Sequence, residues 1–244
     1  MLGIIGGSGL DELSDVVITQ QITVDTPYGN PSAALQFGRL GERDIVFLPR
    51  HGATHQIPPH QVNYRANIWA MQQAGVAYIV AVTAVGGISH SMSPGTFCVA
   101  DQMIDYTYGR EHTYFADSQT TVTHIDFTQP YCESLRQALL LATRQQRVTV
   151  IDQGVYAATQ GPRLETAAEI CRLQQDGCDI VGMTGMPEAA LAKELGLCYA
   201  NLSLVVNWAA GLGGIAIDQH EMEHQLAVGM QTAVRVLCAI EVPA

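Results

Sequence analysis

The chain has 244 residues, 48% hydrophobic and 14% charged, enough to bury one sizeable core as a single domain. Its 12 basic and 23 acidic residues give a formal net charge of −11. That balance excludes non-specific nucleic-acid binding and docking on anionic membranes, so an anionic substrate needs a local cluster of donors.

The first predicted strand, Leu2–Ile5, runs into Gly6-Gly7-Ser8-Gly9. It carries no basic n-region and breaks too early for a signal peptide, and no apolar run reaches membrane-spanning length. A soluble cytoplasmic protein is expected. The glycine turn offers backbone N–H groups and the Ser8 hydroxyl, which suits a phosphate; it also suits a plain tight turn. A dinucleotide fingerprint needs a third glycine where Glu12 stands, and no Walker lysine follows. Strands are predicted next at Val16–Val24, Ala33–Phe37 and Asp44–Leu48. Arg50-His51-Gly52 leaves the last of these, where an open α/β sheet binds ligands. Arg50 offers a rigid fork to phosphate oxygens, or a surface ion pair; His51 is a ligand contact or a hydrogen-bonded core residue. His51, His55 and His60 are loosely spaced, Pro58 and Pro59 prevent one regular helix, and no acid stands nearby, which argues against a metal.

A helix at Val62–Ala74 stops at Gly75, and the buried strand Val76–Thr83 brings Thr83 and the Ala84 amide to its carboxyl end. Then come strand Thr96–Ile104, helix Tyr131–Arg147 and strand Val148–Ala158. Helix Leu164–Gln175 ends before Gly177, strand Asp179–Met183 follows, and helix Pro187–Leu195 ends before Gly196. Strand Leu197–Val206 and helix Gln219–Ala239 complete the pattern. The fold class is α/β, one domain over residues 1–244, with a central mixed β-sheet flanked by helices. Six scattered cysteines without a Cys-x-x-Cys pair read as reduced, mostly buried thiols.

Two residues carry the most chemical information. Glu165 is an ionised acceptor; Asn207 carries a donor and an acceptor on one amide. A 6-oxopurine offers the complement: N1–H, O6, and an N7 that donates once protonated. A 6-aminopurine does not, because its N1 accepts and its exocyclic nitrogen donates. Taken singly, Glu165 also reads as a first-turn helix acid and Asn207 as a turn residue. Met183 fits a ribose face or a core, and Thr184 a ligand contact or a helix cap.

Six segments together resemble the trimeric purine nucleoside phosphorylase and methylthioadenosine phosphorylase family. They are residues 3–10, Val24-Asp25-Thr26-Pro27-Tyr28-Gly29, Arg50-His51-Gly52, residues 62–70, Gly161-Pro162-Arg163 and Met183-Thr184-Gly185-Met186-Pro187-Glu188. Their order and spacing agree with the family across almost the whole chain, and the methylthionucleoside branch is the most similar. The resemblance implies a phosphate site of Ser8, Arg50, His51, Thr83, the Ala84 amide and Thr184, with Met183 on the ribose. It implies a homotrimer in which His124 reaches a neighbouring pocket. It implies no cofactor and no metal, phosphate being a co-substrate.

The departures are informative. Adenine-specific members carry Asp-x-Asp where this chain has Asn207-Trp208-Ala209, and a small hydroxyl residue where it has Glu165. Glu with Asn is the 6-oxopurine pairing of the family. Inosine-specific members hold the 5′-hydroxyl with a histidine; Ile217 falls there, with His220 close enough to compete. The expected activity is phosphorolysis of S-methyl-5′-thioinosine to hypoxanthine and 5-methylthioribose 1-phosphate. Alternatives are a methylthioadenosine phosphorylase, a general inosine/guanosine phosphorylase, a non-catalytic nucleoside binder and, least supported, a dinucleotide-dependent oxidoreductase.

Overall fold

The structure is a computed structural model that describes residues 1–10, 16–116, 121–214 and 219–242. One mixed sheet organises it. The strands are β1 (Leu2–Gly6), β2 (Val16–Ile22), β3 (Leu35–Leu40), β4 (Arg43–Pro49), β5 (Tyr78–Gly87), β6 (Phe97–Cys98), β7 (Gln102–Asp105), β8 (Val150–Ile151), β9 (Val155–Ala158), β10 (Ile180–Gly182) and β11 (Cys198–Trp208). The main path runs β2-β3-β4-β1-β5-β10-β9-β7, and a branch leaves β5 through β11 to β6 and β8. The helices are α1 (Tyr64–Gln73), α2 (Glu133–Gln145), α3 (Ala167–Gln175), α4 (Gly185–Glu194) and α5 (Gln219–Ala239). Among the described residues, no helix is long and apolar enough to cross a membrane.

The apolar runs are strands because both faces of the sheet are covered. Along β1 and β4, Ile5, Val46 and Leu48 point into the layer that holds Ile68 of α1 and Leu191 of α4. Their neighbours Ile4, Ile45 and Phe47 point the other way, against Leu139 of α2 and Leu237 of α5. The glycines expected to stop helices do so: Gly75, Gly177 and Gly196 follow the caps of α1, α3 and α4 at φ +78, +87 and +69. There they adopt the left-handed conformation that costs glycine least.

Two predicted strands are each two. The run at 96–104 divides into β6 and β7, and the run at 148–158 into β8 and β9. β6 and β8 pair in the branch, whereas β7 and β9 pair on the main path, so both runs cross from one arm of the sheet to the other. The carbonyls released at the crossing are taken by Arg136 of α2. Its Nε donates to Ala100 O at 2.9 Å and its Nη2 donates to Val99 O at 3.2 Å and to Asp152 O. Buried carbonyls need such a partner when the ladder breaks.

The cysteine expectation needs correcting. Cys132 and Cys198 form a disulfide across 66 residues, with Cα atoms 5.2 Å apart. The fold makes the pair: Cys132 caps α2 and donates its amide to Tyr199 O at 2.8 Å, which sets it beside the first residue of β11. Cys98 and Cys178 are buried thiols as expected, but Cys171 and Cys238 are exposed. Burial pushes the Cys98 thiol up to about 12.

Candidate active site

β5 decides where a ligand can go. On one edge it pairs with β11 from Tyr78 to Gly87. On the other, β1 reaches only to Ala81 and β10 begins only at Gly86. The stretch between them has no strand on that side, at the carboxyl end of β1, where the sheet changes from parallel to antiparallel. Such switch points are where open α/β sheets bind ligands. A cavity of about 560 Å³ opens there.

Most of the predicted site residues meet in this cavity. Ser8, Arg50, His51, Thr83, Ala84 and Thr184 line one part; Met183, Glu165 and Asn207 line it too. Thr83 lies within β5 rather than at its carboxyl end, and reaches the cavity through the gap. One described residue of the predicted set stands apart. His124 is exposed and outside the lining. Ile217 lies outside the described residues, and its competitor His220 is exposed and also absent from the lining. The wall from α5 includes the apolar Met222 and Leu226.

Arg50 is neither a surface ion pair nor simply a ligand contact. It is 0% exposed, and its Nε and Nη2 donate to the two Glu188 oxygens at 2.7 and 2.9 Å. Glu188, also fully buried, accepts the Tyr199 hydroxyl at 2.9 Å. Burial disfavours the guanidinium charge, but the Glu188 carboxylate overcomes this and holds the Arg50 pKa above its ordinary value. The remaining nitrogen, Nη1, donates to Val82 O at 3.3 Å. It lies against Gly7, where an added Cβ would come within 2.9 Å of it. A side chain at position 7 would therefore crowd this corner of the cavity. Glu188 ends the Met183-Thr184-Gly185-Met186-Pro187-Glu188 segment, yet nothing local marks it as the counter-ion of a residue 138 positions away.

His51 Nδ1 lies 2.8 Å from Ile57 O; a carbonyl only accepts, so Nδ1 is the donor and the ring is held in one orientation. Ser8 Oγ lies 3.4 Å from His55 Nε2, tying the glycine turn to the same loop. Thr184 occupies the N-cap position of α4 but makes no side-chain capping bond, so its hydroxyl is not committed to the helix.

Glu165 is not a first-turn acid. α3 starts at Ala167, Thr166 caps it, and Glu169 completes the capping box. Glu165 precedes this and accepts the Thr159 hydroxyl through Oε1 at 2.6 Å. Asn207 does not leave the strand as a turn residue. The register of β11 shifts between Val205, opposite Val85, and Asn207, opposite Gly86. A bulge of this kind re-aims the side chains after it. Asn207 Nδ2 then donates to Trp208 O at 2.7 Å, which fixes the nitrogen end of the amide.

Arg110 joins the two walls that carry these groups. Its guanidinium donates to Thr159 O at 3.2 Å and Gln160 O at 2.8 Å on one side, and to Met183 O at 2.9 Å and Met186 O at 2.6 Å on the other. Sequence reading missed Arg110, Thr159 and Glu188 because each acts through another residue. Among the described residues, no cluster of three or more His, Cys, Asp or Glu has the arrangement of a metal site.

A family model for the phosphorylase superfamily matches residues 1–240. The chain belongs to this superfamily. A probable S-methyl-5′-thioinosine phosphorylase from Pseudomonas syringae pv. tomato is 56% identical over 240 residues, covering 97% of this chain and 98% of its own. A 6-oxopurine nucleoside phosphorylase from Pyrococcus furiosus is 41% identical over 243 residues, covering 98% and 91%. Among solved structures, methylthioadenosine phosphorylase from Schistosoma mansoni in complex with adenine superposes with a TM-score of 0.91 at 33% identity, covering 98% of this chain and 89% of that one. The α/β fold with a mixed sheet flanked by helices is thus that of a superfamily member.

Proposed function

We propose that this protein is a pentosyltransferase that phosphorolyses S-methyl-5′-thioinosine, giving hypoxanthine and 5-methylthioribose 1-phosphate. One observation carries the reading: Glu165 and Asn207 line the same cavity as Arg50, His51 and Thr184. Their sharing one cavity supports pairing a 6-oxopurine reader with an anion site. The relatives named for methylthioinosine and for 6-oxopurine nucleosides support the base assignment.

Phosphate is held by Ser8, Arg50, His51, Thr83, the Ala84 amide and Thr184, and one oxygen attacks C1′ of the ribose packed on Met183. The C1′–N9 bond breaks and its electron pair passes to the purine. Positioning supplies much of the rate, because the nucleophile is held in line with the bond it displaces. The phosphate charge stabilises the oxocarbenium-like ribosyl group. On the leaving purine, Asn207 accepts from protonated N7 through Oδ1 and donates to O6, while Glu165 holds N1–H. No cofactor or metal takes part.

The 5′ end is assigned to the α5 wall, where Met222 and Leu226 line the cavity beside Glu223 and His220 is exposed outside the lining; the two apolar side chains favour a methylthio group over a hydroxyl. Ile217 is assigned to the same end. His124 completes a neighbouring subunit's pocket in a cytoplasmic homotrimer. No nucleic acid and no membrane are partners.

The test is initial rates with phosphate on methylthioinosine, methylthioadenosine, inosine and adenosine. Methylthioinosine is expected to be best. Methylthioadenosine as the best substrate overturns the base assignment, and inosine as the best overturns the 5′ assignment. The Thr159 contact makes a further prediction. Thr159→Val removes the hydroxyl that orients Glu165, and kcat/KM for methylthioinosine is expected to fall about tenfold, the value of one charge-assisted hydrogen bond. Phosphate KM is expected to stay within about twofold, since the lost bond orients the base reader and not the anion site. An equal rise in both KM values would assign Thr159 a general structural role.

A further inference from the structure

Beneath the cavity floor, β5 and β11 bring three polar side chains onto one face of the sheet. Ser203 pairs directly with Thr83, and Asn201 pairs with Ala81, two residues earlier. Thr83 is 3% exposed; Asn201 and Ser203 are 0%. Their neighbours on that face, Ala81, Val85, Tyr199 and Val205, belong to the apolar core. Hydroxyls and an amide cost free energy in such a layer unless bonded, and small apolar side chains fill it more cheaply.

The bonds among the three have a direction. Ser203 Oγ donates to Asn201 Oδ1, which identifies the oxygen end of the amide. Asn201 Nδ2 donates to Thr83 Oγ1 at 3.2 Å. Thr83 Oγ1 also donates to Asn201 Oδ1 at 3.3 Å and lies 3.0 Å from Ser203 Oγ. Thr83 is the member that lines the cavity. With Asn201 Nδ2 supplying a donor, the Thr83 oxygen keeps a protein bond as an acceptor when its own proton turns from Asn201 Oδ1 to an acceptor in the cavity. An anion is the stronger acceptor, because a hydrogen bond to a charged oxygen outweighs one to a neutral amide or hydroxyl.

We propose that Asn201 and Ser203 are positioning residues for phosphate. Together they set the Thr83 hydroxyl as a donor into the cavity, and Asn201 must be an amide because a carboxylate at that place would take the Thr83 proton for itself. This rests on the phosphorolytic reading, in which Thr83 touches phosphate.

The test is steady-state phosphorolysis of methylthioinosine, with the KM for phosphate and for nucleoside measured separately. Asn201→Asp is expected to raise the phosphate KM about tenfold, as does Thr83→Val, because each removes one charge-assisted bond to the anion. The nucleoside KM is expected to stay within about twofold of wild type in both, since the base contacts are untouched. The double variant is expected to be no worse than Thr83→Val alone, because the direction of a missing hydroxyl has no consequence. Ser203→Ala is expected to show the same split at about threefold, and the same silence in the Thr83→Val background, as it only loosens the amide. It decides the matter should Asn201→Asp not fold. Equal rises in both KM values, or full additivity with Thr83→Val, overturn the proposal. A wild-type enzyme without phosphate-dependent turnover overturns the phosphorolytic reading itself. Turnover with a phosphate KM unmoved by these changes overturns only the positioning role.

Discussion

Replacing Glu188 with alanine is expected to destabilise the fold by about 3–5 kcal/mol, because it leaves a buried guanidinium without its counter-charge. Both partners are 0% exposed, and the contact is a two-bond fork at 2.7 and 2.9 Å. Little else offsets the loss: Nη1 has the Val82 carbonyl at 3.3 Å, and the Tyr199 hydroxyl would lose its acceptor as well. Denaturant unfolding measures it directly, as a lower midpoint with an unchanged slope. Glu188→Gln keeps the shape and one acceptor, and is expected to cost less. Activity is expected to fall in step, since under the proposed phosphate assignment a displaced Arg50 cannot meet the anion. A Glu188→Ala variant within about 1 kcal/mol of wild type would refute the closed pair, because exposed ion pairs contribute only that much.

The second large effect is on base choice. Exchanging both readers, as Glu165→Ser with Asn207→Asp, is expected to shift the ratio of kcat/KM for methylthioadenosine over methylthioinosine by about a hundredfold or more. In the proposed base reading, Glu165 facing adenine opposes the N1 lone pair and an Asn207 donor opposes the amino group. Each mispaired buried contact costs about 1–3 kcal/mol, so removing two gives that ratio. Asn207→Asp alone is expected to weaken oxopurine use while gaining less on adenine, because Glu165 still opposes N1. The four-nucleoside rate comparison reads both variants. An unchanged preference in the double variant would remove Glu165 and Asn207 from base recognition and leave the phosphate assignment standing.

These expectations draw unequally on sequence and structure. Element type was legible wherever a local rule applied. The glycine stops at 75, 177 and 196 lie at positive φ, and α5 spans the predicted Gln219–Ala239. The runs at 96–104 and 148–158 each read as one strand in sequence but form two, because a strand buried on both faces reads as one apolar stretch. Nothing in such a stretch records that it changes arms of the sheet, or that Arg136 takes the exposed carbonyls.

The sequence by itself determined the family and the α/β class, and it supplied the residue types proposed for a 6-oxopurine and an anion, since chemical identity and spacing are properties of the chain. It also placed Glu165 and Asn207 as departures from an adenine reader. Only the tertiary structure decided which of these groups meet and how each is held. The gap on one edge of β5 opens the cavity, the slip after Val205 turns Asn207, and Thr159 takes Glu165 from six residues away. The pairing of Arg50 with Glu188, of Cys132 with Cys198, and of Thr83 with Asn201 and Ser203 spans 66 to 138 residues. Partners at such separations have no local signature; they are fixed by register and packing, which no single stretch of chain contains.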